Sequence, residues 1–130
     1  MAKFQKRLSS NWTIGTHTVN SYKQRVDDPA LKRKRRNAND IRKVLAQALN
    51  KVQDDGKNVD IRSSNYKGSA KLKQLYRVTL FKNNYYILAS MNYTVSLFNA
   101  DQISNDIRKG GLIFLDEDPF DELKIIFFGK

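Results

Sequence analysis

The chain has 130 residues, with 24 Lys or Arg against 13 Asp or Glu, a formal net charge of +11 and a pI near 10.0. That length supports one domain with a real core and is too short for two. The charge points to a polyanionic partner, nucleic acid first, then anionic membranes and acidic proteins. With no cysteine, disulfides, thiolate catalysis and cysteine-ligated zinc are excluded.

In chain order, residues 1 to 36 carry ten Lys or Arg against two Asp. Their few apolar residues show no sustained period, so this part is expected to be a basic, flexible N-terminal arm ahead of a domain spanning 37 to 130. Trp12 and Ile14 are its expected anchors, because a tryptophan gains much by burial. Asp28-Pro29 is a turn signal able to start a short helical turn into Leu31. The arm ends in an unbroken cationic run, Lys32-Arg33-Lys34-Arg35-Arg36. Five consecutive cations resist burial and are expected to face water or a polyanion.

The spacing of Ile41, Val44, Leu45, Ala48, Leu49 and Val52 predicts an amphipathic helix over about 40 to 53. Asn39 is the expected N-cap, Asp40 suits the positive end of the dipole, and Gly56 is the expected stop. The opposite face carries Arg42, Lys43, Gln47, Asn50 and Lys51, which continues the basic character of the run.

A short strand is expected at 59 to 62, then a polar loop at 63 to 70. Leu72 to Phe81 and Tyr85 to Met91 read as a hairpin with Asn83-Asn84 in the turn, since Asn tolerates positive φ. That turn places Leu80 opposite Ile87, Val78 opposite Ala89 and Tyr76 opposite Met91, an apolar face for the helix. The other face holds Lys73, Leu75, Arg77, Thr79, Phe81, Tyr86, Leu88 and Ser90. Leu75 and Leu88 favour covering this face over using Phe81 and Tyr86 to stack bases.

Tyr93 to Phe98 extends a further strand. Asn99 with Gln102 is a capping-box-like start for a short helix to Lys109 that buries Ile103 and Ile107. Leu112 to Leu115 and Leu123 to Phe128 are apolar strands around an acidic turn, residues 116 to 122, with five carboxylates in seven residues. The expected class is α+β, with a largely antiparallel sheet and two helices. An order of α, β, β, β, then α resembles that of the double-stranded-RNA-binding domain. The second helix lacks that family's lysine-rich opening, so the likeness is topological and carries no residue over. The small, basic, cysteine-free chain looks like accessory proteins of bacteriophages and mobile elements.

For function, the expectation is a non-enzymatic nucleic-acid-binding protein. Arg33, Lys34, Arg35, Arg36, Arg42 and Lys43 are expected on phosphates, with Lys32, Lys23 and Arg25 in support. Five neutralised phosphates correspond to a log K against log salt slope of about −4 to −5. The alternative is a phage-type inhibitor of a host nucleic-acid enzyme, such as an anti-CRISPR protein, that binds the enzyme or its nucleic-acid complex. No catalytic, metal-binding or cofactor-binding residue is expected: His17 is the sole histidine, and no nucleophile–base pair or metal-ligand spacing is visible. The acidic turn fits no calcium-loop pattern. No segment reads as a membrane span or signal peptide, and the expected location is cytoplasmic.

Overall fold

In a computed structural model, residues 12 to 32, 36 to 61, 71 to 103, 112 to 114 and 120 are described. The elements in chain order are β1 (Thr13–Ile14), α1 (Thr16–Arg25), α2 (Pro29–Lys32), α3 (Ala38–Lys51), β2 (Lys57–Ile61), β3 (Lys71–Leu80), β4 (Asn83–Ser90), β5 (Tyr93–Phe98) and β6 (Leu112–Phe114). Residues 100 to 103 are also helical. The strands form one sheet in the order β1-β5-β4-β3-β2-β6. Every pairing is antiparallel except the parallel contact of β1 with β5. The expected α+β class with a largely antiparallel sheet is observed.

Residues 12 to 32 and Arg36, within the segment expected as an arm, are built into the domain. Val19, Tyr22 and Val26 of α1 and the residue after it are buried in the main core beside Ile41, Leu45 and Leu49 of α3. Ile14 is buried, and Trp12 packs edge-on against Tyr76 with ring centroids 5.3 Å apart. The apolar residues of α1 are few, and its amphipathic pattern is weak in sequence. Burial against β5 and α3 stabilises a helix that propensity alone does not specify. Residues 1 to 11 lie outside the described residues.

The Asp28-Pro29 signal does open a helical turn. Pro29 takes the first helical position, where its missing N–H costs nothing, and the Asp28 carboxylate accepts from the Ala30 N–H at 2.8 Å. The amphipathic helix is present as α3, with a different cap. Asn37, not Asn39, is the N-cap. Its side chain accepts from Asp40 N–H at 2.9 Å, and Asp40 accepts from Asn37 N–H at 3.1 Å, a reciprocal capping box. Gly56 lies five residues past the helix end and serves a different purpose from a stop. A Cβ there would sit 2.5 Å from the Tyr76 ring, so only glycine admits that ring.

The β3–β4 hairpin differs in register from the sequence expectation. Tyr76 pairs with Ile87, Val78 with Tyr85 and Leu80 with Asn83. Each β3 residue therefore meets a partner four positions earlier than expected. Four is even, so the faces do not exchange: Tyr76, Val78, Leu80, Ile87 and Ala89 still face the helices. Tyr85 joins them, and Met91 falls in the next turn, 82% exposed. The turn is Phe81-Lys82, at φ 51° and 72°. Non-local packing outweighs turn chemistry here. Tyr85 is buried against the helices, and its hydroxyl accepts from the Asp27 N–H at 3.2 Å.

The second sheet face is covered, as Leu75 and Leu88 require. Val59, Leu75, Tyr86, Leu88, Ile103 and Phe120 form a smaller core there. Tyr86 is fully buried, which removes it from base stacking. The predicted box at residue 99 is present: Asn99 accepts from Gln102 N–H at 2.9 Å, and Gln102 accepts from Asn99 N–H at 3.3 Å. The rest of that helix, Leu115, the strand at 123 to 128 and the acidic turn apart from Phe120 lie outside the described residues.

Candidate nucleic-acid interface

Two helices on one side of the sheet, α1 and α3, supply Lys23, Arg25, Arg42, Lys43 and Lys51. The solvent-facing ridge of α3 reads Asn39, Lys43, Gln47 and Lys51, each exposed and spaced by four. This spacing aligns side chains along one row. Lys23, on the last turn of α1, is also exposed. Because α1 and α3 share one core against one sheet face, Lys23, Lys43 and Lys51 stand on the solvent side of a single helical layer.

The arginines behave differently. Arg36 donates from Nε to Asp28 Oδ2 at 2.6 Å and from Nη2 to Oδ1 at 3.4 Å. The Asp28 side chain is fully buried, and that of Arg36 is 24% exposed. Arg42 donates from Nε to the Ile14 carbonyl at 3.2 Å and so ties α3 to β1. Arg25 donates from Nη1 to the Leu97 carbonyl at 2.5 Å and lies over the Phe98 ring, 5.7 Å from its centroid. Sequence reasoning put all three on phosphates; in the structure each of the three makes an internal bond. The planar guanidinium suits that use, since it serves fixed acceptors with several donors at once. The Lys32 side chain and residues Arg33, Lys34 and Arg35 lie outside the described residues.

Asp28 is the centre of this end of the molecule, and sequence reasoning assigned it only a turn. Its carboxylate accepts from the Tyr22 hydroxyl, from both Arg36 donors and from the Ala30 N–H. Burial alone would raise its pKa, but these hydrogen bonds outweigh burial and hold the carboxyl below its ordinary value. Burial, then the bond to Asp28, pushes the Tyr22 phenol well above its ordinary range. The bond to Asp28 raises Arg36 further. The carboxylate is thus ionised and saturated with donors, which makes it a structural clamp and a poor general base. The clamp holds Arg36, the last residue of the cationic run, and opens the helical turn that leads into its first. Lys32 closes α2, which begins one residue after Asp28, and Arg36 returns to the same carboxylate one residue before the α3 cap. The visible signal for the clamp was Asp28-Pro29, read together with a guanidinium eight residues on.

His17 is exposed on α1. No group of three or more His, Cys, Asp or Glu able to hold a metal occurs among the described residues. None of the described helices is long and apolar enough to cross a membrane. No protein-family model, no curated protein and no solved structure matches this chain.

Proposed function

We propose that the protein is a non-enzymatic, cytoplasmic nucleic-acid-binding protein. Lys32, Arg33, Lys34 and Arg35 contact phosphates, with Lys23 and Lys43 beside them. Arg25, Arg36 and Arg42 brace the fold through internal bonds to Leu97, Asp28 and Ile14. The observation that carries this reading is the clamp on Asp28, which holds Arg36 and opens the helical turn ending at Lys32, the described residues flanking Arg33 to Arg35, in a fold whose helical layer carries exposed lysines. Anchoring lowers the ordering entropy that a tail would lose on binding. Phosphate contacts of this kind set affinity without reading sequence.

The test is fluorescence anisotropy with labelled duplex DNA, single-stranded DNA and structured RNA over a salt series. The variant replaces Lys32, Arg33, Lys34 and Arg35 by serine and keeps Arg36, whose loss would unseat Asp28. The expected result is a salt slope shallower by about 3 to 4, from about 0.7 to 0.9 per phosphate. An unchanged slope and affinity would contradict the proposal.

A second reading, an inhibitor of a nucleic-acid enzyme of the phage type, is favoured by a different observation. Met91 and Tyr93, at the β4–β5 turn, are 82% and 52% exposed, and large apolar side chains standing in water suit a protein contact. High affinity for an enzyme complex, with weak binding to naked nucleic acid, would support this reading over the first. Failure of nuclease-treated pull-downs to return any protein would remove it.

A further inference from the structure

The exposed ridge of α3, Asn39, Lys43, Gln47 and Lys51, advances by about 6 Å from one member to the next. That step is close to the separation of successive phosphates along an extended strand. Every side chain in the row carries an N–H donor, and two of the four are cations. Gln47 and Lys51 also line a groove of about 840 Å³ between the end of α3 and the β3–β4 turn. The row and the groove therefore share residues and form one track.

The groove offers three chemistries side by side. Val52 and Phe81 are apolar, Lys51 and Lys57 are exposed cations, and Gln47, Asp55 and Thr79 are exposed hydrogen-bonding groups. A nucleotide presents the matching three: a base face, a phosphate and a polar base edge. Asp55 repels a phosphate but accepts from the amino groups of base edges. The mixed lining thus suits a base inside the groove and phosphates outside it on the lysines. Of Phe81 and Tyr86, Tyr86 is buried and Phe81 is 41% exposed, so one ring of the hairpin stays free to stack. Phe81 at φ 51° and Lys82 at φ 72° hold left-handed positions that Asn83-Asn84, next in sequence, would take with less strain. The hairpin register thus displays an aromatic ring and an exposed lysine in the turn against local preference. Strain of this kind clusters at functional sites.

We infer that α3 and the β3–β4 turn bind a single strand of nucleic acid, with phosphates along Lys43, Lys51 and Lys57 and one unpaired base stacked on Phe81. The inference rests on the phosphate reading and narrows its partner. A duplex keeps its bases stacked on one another and has none to give to the ring.

The test uses the full chain and three fluorescein-labelled ligands of about 12 nucleotides: a single strand, its duplex, and a strand of abasic sites with the same phosphates. Phe81→Asn should weaken the single strand by about tenfold and leave the duplex and the abasic strand unchanged. Its salt slope should match that of the wild type. Lys51→Gln with Lys57→Gln should flatten the single-strand slope by about 1 to 1.5, from about 0.7 per phosphate. Phe81→Asn suits φ 51° better than phenylalanine, so its thermal midpoint should equal or exceed that of the wild type. Binding that ignores Phe81→Asn, or that falls equally on the abasic strand, would overturn the inference and leave the phosphate reading in place. An unchanged slope in the lysine variant would do the same. No binding of any of the three ligands at low salt would remove both, and would assign the groove to a protein contact.

Discussion

The two ends of α3 carry the same sign of charge and use it in opposite ways. At the start, Arg36 and Arg42 turn inward, one onto a buried carboxylate and one onto the Ile14 carbonyl. At the end, Lys51 and the neighbouring Lys57 stay exposed beside a groove of mixed polar and apolar lining. The division follows from side-chain chemistry. A guanidinium forms several directed bonds and is weakly hydrated, so it tolerates partial burial. An ammonium is compact and strongly hydrated and stays in water. A surplus of basic residues therefore does not convert one for one into a binding surface: part of it is structural.

The sharpest way to break the first end is Asp28→Ala. It leaves the Tyr22 hydroxyl and the Arg36 guanidinium without their acceptor and should cost about 3 kcal/mol in urea unfolding. A loss below about 0.5 kcal/mol would show that the clamp is ornamental. Its pH dependence follows in sign. The folded-state carboxyl lies below its ordinary 3.8, so its contribution is complete above that value and disappears as pH falls through the folded-state pKa. Tyr22 works in the other direction. Its folded-state pKa lies above the ordinary 10.0, so its contribution is complete below pH 10 and is lost as pH rises further. Asp28→Asn should flatten the acid limb of the stability curve, and an unaltered limb would assign acid sensitivity to other groups.

Gly56→Ala attacks the second end. The added methyl meets the Tyr76 ring at 2.5 Å, and the expected cost is about 1 to 3 kcal/mol, read from the denaturation midpoint. A neutral outcome would mean that the Tyr76 ring moves aside easily. Smaller still, and of opposite sign, Phe81→Gly should stabilise by about 1 kcal/mol by relieving the left-handed conformation at φ 51°. A destabilised variant would show that the exposed ring contributes to folding.

Legibility followed the range of the interactions. α3, the box at Asn99 and Gln102, β5 and the α2 turn were readable because each is specified by neighbours a few residues apart. The faces of the hairpin were readable because they depend only on alternation. The hairpin register was not, because Tyr85 reaches Asp27 across 58 residues and that contact has no local trace. α1 was missed for the same reason: it is held by a distant strand and helix, with weak amphipathicity of its own. In the candidate site, the exposed lysines of α3 followed from helical spacing. The inward turn of Arg36 and Arg42 did not, since their acceptors, Asp28 and the Ile14 carbonyl, are chosen by the tertiary fold.

The most direct measurement compares the two kinds of cation in one experiment. Oligonucleotide affinity over a salt series and the urea midpoint would be recorded for Lys23→Gln with Lys43→Gln, and for Arg36→Gln and Arg42→Gln separately. The account predicts that the lysine variant loses about 1 to 2 in salt slope and keeps its midpoint, while each arginine variant loses stability and keeps the slope. Arginine variants that flatten the slope at unchanged stability, beside a lysine variant that alters nothing, would contradict it.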